Sequence, residues 1–394
     1  MARNYRFISA DSHYESPPEH WTHRVAKQYR ERAPRRIKLA NGKDALAMEG
    51  KPLIYGGTSL FGGRDPKDFD PTWLDYDNTP GCGDAKQRLR EQDRDGIDAE
   101  VLFALDVRNS SIRDKAARIA VVQGFNDFFA EEYCAVDRDR LIGMAVLPNS
   151  GVAEDIAEME RCKKLGFKGA WLSTFPSAKS FPLPEDDRFW AAALDLDMPL
   201  VIHTSFPTKV GSRETPLFKY PKEPEGEERP PTDFVQRFAR QAPHHSGSVE
   251  VSQLIVAGVF DRFAKLQIYW AENNVGWLPY FGEQIDKEYE TNHYWVENYL
   301  GLPRLKQKPS EYLKTNAHWG FFEDRIGMKL RHEIGVDRIL WSTDFPHIVT
   351  SWPNSLKVLD EQTMGVPAAE KHKMAAGNAI KFFQLDHLEQ GNRQ

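Results

Sequence analysis

The sequence predicts an α/β protein of the (β/α)8 type, a TIM-type barrel carrying long rim-loop insertions. Three observations point there. Eight short apolar runs recur along the 394 residues, alternating with stretches of helical periodicity. The runs are continuously apolar, as parallel strands covered on both faces should be. Metal-type side chains stand directly after four of them, at the strand end where barrels carry their chemistry.

The first run is Tyr5-Arg6-Phe7-Ile8-Ser9-Ala10 and the second is Glu100 to Leu105. Leu141 to Leu147 is the third, and Gly169-Ala170-Trp171-Leu172 the fourth. Pro199 to His203, Leu266 to Trp270, Ala317 to Gly320 and Arg338 to Trp341 complete the set of eight. Lys115 to Cys134 and Val152 to Leu165 space their apolar residues as helices do, and Gly151 and Gly166 punctuate the second. A doubly wound open sheet is the rival arrangement. No GxGxxG or GxxxxGK[ST] follows any strand, so that rival has no nucleotide motif behind it.

Two segments interrupt the rhythm. Lys38 to about Gly83 is rich in Gly, Asp and Pro, and Phe206 to about Ser246 contains KYPKEPEGEERPP. Both read as rim loops of one domain spanning residues 1–394, the second placed on the catalytic rim because it follows His203.

Composition narrows the function classes. With 40% hydrophobic residues the chain can bury a large core. A net charge of −6 without a basic block argues against nucleic acid or an anionic membrane as partner. Cys82, Cys134 and Cys162 are odd in number and form no CxxC pair, so a reducing cytoplasm is expected rather than a disulfide framework. MARNYRFISADSH has no apolar signal core, and no run of about 18 apolar residues exists to span a bilayer. A homodimer is expected on the frequency of two-fold assembly alone.

The chemistry is read from the strand ends. Asp11 and His13 follow the first strand two residues apart, so an extended backbone turns both to one face. His203 closes the fifth run, Glu272 follows the sixth, and Asp344 follows the eighth with His347 behind it. Each has an ordinary alternative: Asp11 or Asp344 as a turn or helix cap, His203 as a core histidine, Glu272 as half of an arginine pair. Recurrence at one end of four strands favours a shared metal site. The expected metal set is Asp11, His13, His203, Glu272, Asp344 and His347, with Asp344, Glu272 and His347 as the catalytic groups. His244, His245 and His293 read as solvated loop residues, and Glu15 as a residue that orders its loop.

The stretches ADSHYESPPEHW, DRDGIDAEVLF, RLIGMAVLP, IHTS, AENNVGWLPY and WSTDFPHIVTSWPNS resemble the amidohydrolase superfamily, in the branch of aminocarboxymuconate semialdehyde decarboxylase-like proteins (amidohydrolase family 2). The resemblance covers most of the chain. It departs from the superfamily in three places. The first strand usually ends in His-x-His, and here stands Asp11-x-His13. The sixth usually supplies a histidine, and here stands Glu272. The fourth offers no lysine to bridge two metals.

Three carboxylates and three histidines exceed what one zinc needs, and a mixed set with open positions suits iron or manganese. With Glu272 bridging two ions in place of the missing lysine, the set resembles non-haem dinuclear iron oxygenases of this fold. That resemblance implies a monooxygenase acting on a largely apolar small molecule, with O2 and an electron donor as partners and two irons as cofactor, manganese or zinc being the alternatives. The other readings are a metal-dependent hydrolase, with Asp344 as proton shuttle, and a non-oxidative decarboxylase of an aromatic or unsaturated acid.

Overall fold

The fold was analysed in a computed structural model that describes residues 4–386 except 41, 50, 54–59, 61, 69–73, 105–110 and 207–246. All eight expected runs form strands. β1 is Ile8–His13; the insertion after it contributes β2 (Arg35–Lys38), β3 (Asp44–Met48) and β4 (Lys51–Leu53). β5 is Ala99–Phe103. The third run splits at Met144 into β6 (Leu141–Gly143) and β7 (Ala145–Val146). β8 (Ala170–Trp171), β9 (Leu200–His203), β10 (Ile268–Ala271), β11 (Ala317–Phe321) and β12 (Ile339–Trp341) follow.

Among the described residues these strands form two parallel sheets, β1-β5-β6 and β12-β11-β10-β9-β8-β7. The sheets meet at both edges. Met144 N donates to Leu102 O and Ala145 N to Gly169 O, so one continuous segment belongs to both. On the far side Asp344 N donates to Asp11 O at 3.0 Å and His13 N to Phe345 O at 2.8 Å.

Alternate residues along the strands enter different hydrophobic clusters. Ile8, Ala10, Val101, Phe103, Ile142, Val201, Tyr269 and Leu340 form a compact one on one side of the strands. Leu102, Leu141, Leu200, Ile202, Ile268, Trp270, Trp319 and Trp341 pack with the helices on the other. Burial on both faces is why the strands read as unbroken apolar runs.

The helices behave as their punctuation predicts. α1 (Ala85–Asp95) starts at Asp84, whose carboxylate accepts from Gln87 N, and stops at Gly96 with φ 77°. α2 (Lys115–Phe128) is capped by Asp114, and its last stretch continues as a wider turn to Tyr133. α3 (Val152–Leu165) lies between Gly151 and Gly166 as expected. α4 (Asp187–Asp195) precedes β9. The insertion after β1 is not only loop: β2, β3 and β4 pair antiparallel, and their strand order was not anticipated. Most of the second insertion lies outside the described residues, with His244 and His245. His293 is not a loop residue. It sits half-buried in the helix Leu278–Leu300, with Tyr289 and Tyr294 against its ring.

Candidate metal centre

Four strands deliver their last residues to one point. β1 ends in Asp11-Ser12-His13, all buried, and its register against β5 shifts between Ser9 and Ser12. That irregularity re-aims the strand end. β9 ends in His203, and Glu272 and Asp344 follow β10 and β12. Thr204, Glu272 and Asp344 all have left-handed backbones, with φ of 53°, 54° and 54°. Such a conformation is costly for a non-glycine residue, on the order of 1 kcal/mol or more, and it turns the chain sharply where a strand must present a side chain.

Asp11, His13, His203 and Asp344 each place a ligand atom within 4.8 Å of all the others. His13 Nε2 is 2.8 Å from Asp344 Oδ1 and 3.6 Å from Asp11 Oδ1. His203 Nε2 is 3.5 Å from Asp11 Oδ1. Glu272 stands beside this group, its Oε2 at 3.4 Å from His203 Nε2. His347 stands on the other side, its ring stacked on His13 at 3.6 Å. Its Nε2 meets Glu15 Oε1 at 3.0 Å and its Nδ1 lies 3.4 Å from Asp344 Oδ1. The first insertion rests on this corner: Leu60 bridges to His347, and Gly62 N donates to Pro346 O. A side chain at Gly81, which has φ 83°, would meet Pro346 Cβ at 2.5 Å.

The donor set fits a cation. Asp11 Oδ1 and Oδ2, His203 Nε2 and Asp344 Oδ2 are buried without a hydrogen-bond partner. Buried polar atoms left unpaired are costly, so three carboxylate oxygens and one imidazole nitrogen around one point suit a bound cation. Two carboxylates and two imidazoles suit a divalent ion of manganese, iron or zinc type. The electrostatics agree. Burial lowers the His203 pKa, yet Asp11, Glu272 and Asp344 outweigh it and raise it to about 9. Burial and Asp344 push Glu272 up to about 8. Protons gather where negative charge is in excess. His13 moves down to about 4 through burial and the neighbouring His347. Burial also opposes charge on His347, but Asp344 and Glu15 hold it well above the usual imidazole range. Asp344 is drawn down by His347 and His13 against its own burial.

Of the expected residues, then, four share the centre, and Glu272 and His347 flank it. Sequence reasoning missed the support beneath. Arg88 of α1 donates to Glu100 in β5 and also to His13 O and Phe345 O. The available signal was a lone acid inside an apolar strand, Glu100 in AEVLF.

A sequence model of the family described as Amidohydrolase matches residues 12–385. The gamma-resorcylate decarboxylase of Rhizobium sp. (strain MTP-10005) is 28% identical over 313 residues, covering 76% of this chain and 86% of its own. An amidohydrolase from Mycobacterium avium subsp. paratuberculosis superposes with a TM-score of 0.70 at 18% identity, over 97% of this chain and 98% of that one. A dihydroxybenzoic acid decarboxylase from Polaromonas sp. JS666, solved with manganese and 2-nitroresorcinol, gives a TM-score of 0.60 at 22% identity, over 99% and 100%. Neighbours of this fold imply a TIM barrel.

These relatives overturn the expectation of a dinuclear iron monooxygenase, and O2, an electron donor and the hydroxylase reading go with it. The geometry supplies a reason. The four unpartnered donor atoms belong to one compact group. Both nitrogens of His347 already face carboxylates, and with His13 and Glu15 it forms a second group whose ligand atoms lie close together.

Proposed function

The chain belongs to the amidohydrolase family, and from that premise we propose that it is a metal-dependent, non-oxidative decarboxylase of a small aromatic acid. The observation that carries the reading is the group of unpartnered donor atoms on Asp11, His203 and Asp344 beside His13, in a chain whose curated relatives decarboxylate resorcylate. Asp11, His13, His203 and Asp344 hold one divalent ion, manganese being the first choice. When bound, that ion would supply Lewis acidity that stabilises negative charge on the substrate.

The chain's own residues do the rest. Decarboxylation breaks the bond from the ring carbon to the carboxyl carbon, releases CO2 and leaves an electron pair on the ring. That pair must take one proton. His347, held between Asp344 and Glu15, stores it, and Asp344 delivers it to the ring carbon. Glu272 is partly open, with 19% of its side chain exposed, beside the ligand His203. It borders the space for the substrate and orients the bond to be broken. No oxidant is consumed. We place these elements in one barrel domain with insertions at about 38–83 and 206–246.

The test is turnover of a panel of hydroxylated benzoic acids, starting with 2,6-dihydroxybenzoate, by manganese-loaded protein in deuterated water. The product should carry one deuterium at the carbon that lost CO2, and Asp344→Asn should abolish its formation. No CO2 from any member of the panel would refute the proposal.

A further inference from the structure

The opposite ends of the strands hold a cavity of about 550 Å³ that the metal chemistry does not touch. It is bounded by Pro199 before β9, Gln267 before β10, His318 in β11 and Arg338 before β12, and is closed by Asn378, Lys381 and Phe382 near the end of the described chain. Leu194, Met198 and Leu266 give it an apolar side.

Its basic side chains outnumber its acidic ones, three to two. Gln267 spends its amide on Leu266 O and Thr315 O, and its carbonyl accepts from Arg338 Nη1 at 2.8 Å. Asn378 Nδ2 is spent on Val336 O and Ile339 O. Arg338 Nη1 also lies 3.3 Å from His318 Nε2. A guanidinium can only donate, so His318 Nε2 accepts and the ring proton sits on Nδ1. That Nδ1 is buried and has no partner. Burial, Arg338 and Lys381 push the His318 pKa down to about 3, which keeps the ring neutral and this tautomer in place.

Lys265, Arg338 and Lys381 all line the cavity, and among the described residues none of them is in an ion pair. Asp197 and Asp337 line it too. Asp337 is taken by Lys373 at 2.7 Å, which leaves the carboxylate of Asp197 against three basic side chains. Arg338 is half-buried, and burial lowers its pKa. A partly desolvated guanidinium with no carboxylate paired to it, on one wall with two unpaired lysines, favours an anion.

We propose that this cavity binds a small oxyanion, a carboxylate or a phosphate group carried on a compact apolar body. Arg338 Nε and Nη2 donate to its oxygens, Lys265 and Lys381 complete the charge, and Leu194, Met198 and Leu266 cover the body. The site is separate from the metal centre and does not depend on the reaction proposed there.

Calorimetric titration of the metal-loaded protein with inorganic phosphate, and separately with butyrate, at fixed ionic strength tests this. Saturable binding is expected, with Arg338→Gln weakening it roughly tenfold or more, since a charge-assisted pair is lost. His203→Asn, at the metal centre, should leave it unchanged. The tighter of the two probes identifies the anion. If Arg338→Gln folds poorly, the paired change of the exposed Lys265 and Lys381 to Gln decides, with a weakening of about threefold or more expected. No saturable binding of either probe, equal affinity in all the cavity variants, or loss of binding in His203→Asn would each overturn the proposal.

Discussion

Two buried polar clusters share a wall in this protein, and they are finished differently. In the lower one Glu100 receives Arg88 Nε at 2.6 Å, Arg88 Nη2 at 3.2 Å, Gln92 Nε2 at 2.7 Å and Ser12 Oγ at 3.1 Å. Arg88 spends its remaining Nη1 donor on the carbonyl of His13, and Nη2 also reaches the carbonyl of Phe345. Every nitrogen of Arg88 and both oxygens of Glu100 have a partner, whereas the amide oxygen of Gln92 beside them has none. In the upper one, across the His13 backbone, Asp11, His203 and Asp344 keep buried atoms with no partner. Both clusters are costly to desolvate, and only in the lower one are the charged groups all partnered within the chain. The difference separates a structural ion pair from a binding site more surely than burial or residue type does. It also explains the placement: the closed cluster grips the backbone of the strand ends whose side chains form the open one.

The comparison breaks first where the open cluster loses a donor. His203→Ala or Asp344→Ala should remove bound metal and cut turnover on the order of a thousandfold or more, while the melting temperature of the metal-free protein holds or rises. Metal content, turnover and thermal unfolding measured on the same preparations check this. The closed cluster should respond in the opposite sense. Glu100→Ala leaves the buried Arg88 charge unpaired and should cost about 3–5 kcal/mol of unfolding free energy. Denaturant unfolding reads that value, and a loss under about 1 kcal/mol would mean that the pair is not closed as described.

Glu272 sharpens the boundary of the open cluster. It flanks the four donors, so Glu272→Gln should keep the metal and lose about tenfold in turnover, through a weaker hold on the substrate. Metal analysis that finds the ion gone would move Glu272 into the ligand set.

The smallest effect concerns His318, whose unpartnered Nδ1 makes it the counterpart of the open cluster at the far strand ends. Its folded pKa, about 3, lies below the unfolded value of 6.5. Below pH 6.5 the unfolded chain binds a proton that the folded chain refuses, so stability falls as pH drops from 6.5 towards 3. The slope from this residue is about 1.4 kcal/mol per pH unit at most, the value of one proton. His318→Gln should flatten that part of the stability profile.

The eight strands were legible because burial on both faces leaves few polar positions in the run, and none in Leu200 to Ile202 or Ile339 to Trp341. The metal donors were legible for the complementary reason, being polar side chains directly after such runs. β2 was not, because Arg35–Lys38 is half exposed and charged and carries no strand-like alternation. The Arg88–Glu100 pair joins a helix to a strand, and Glu15 meets His347 across 332 positions, so neither contact leaves a local pattern. The reaction was the least legible part. Strand-end carboxylates and imidazoles serve hydrolysis, oxygenation and decarboxylation alike on one fold, and the expectation of a dinuclear iron oxygenase took donor number for metal number.

Metal stoichiometry together with anaerobic turnover of the aromatic-acid panel tests the central claim most directly. Protein loaded with manganese under argon should hold about one ion per chain, as one compact donor set allows, and should release CO2 from an aromatic acid at the same rate with and without O2. Two ions per chain with turnover that requires O2 would contradict it.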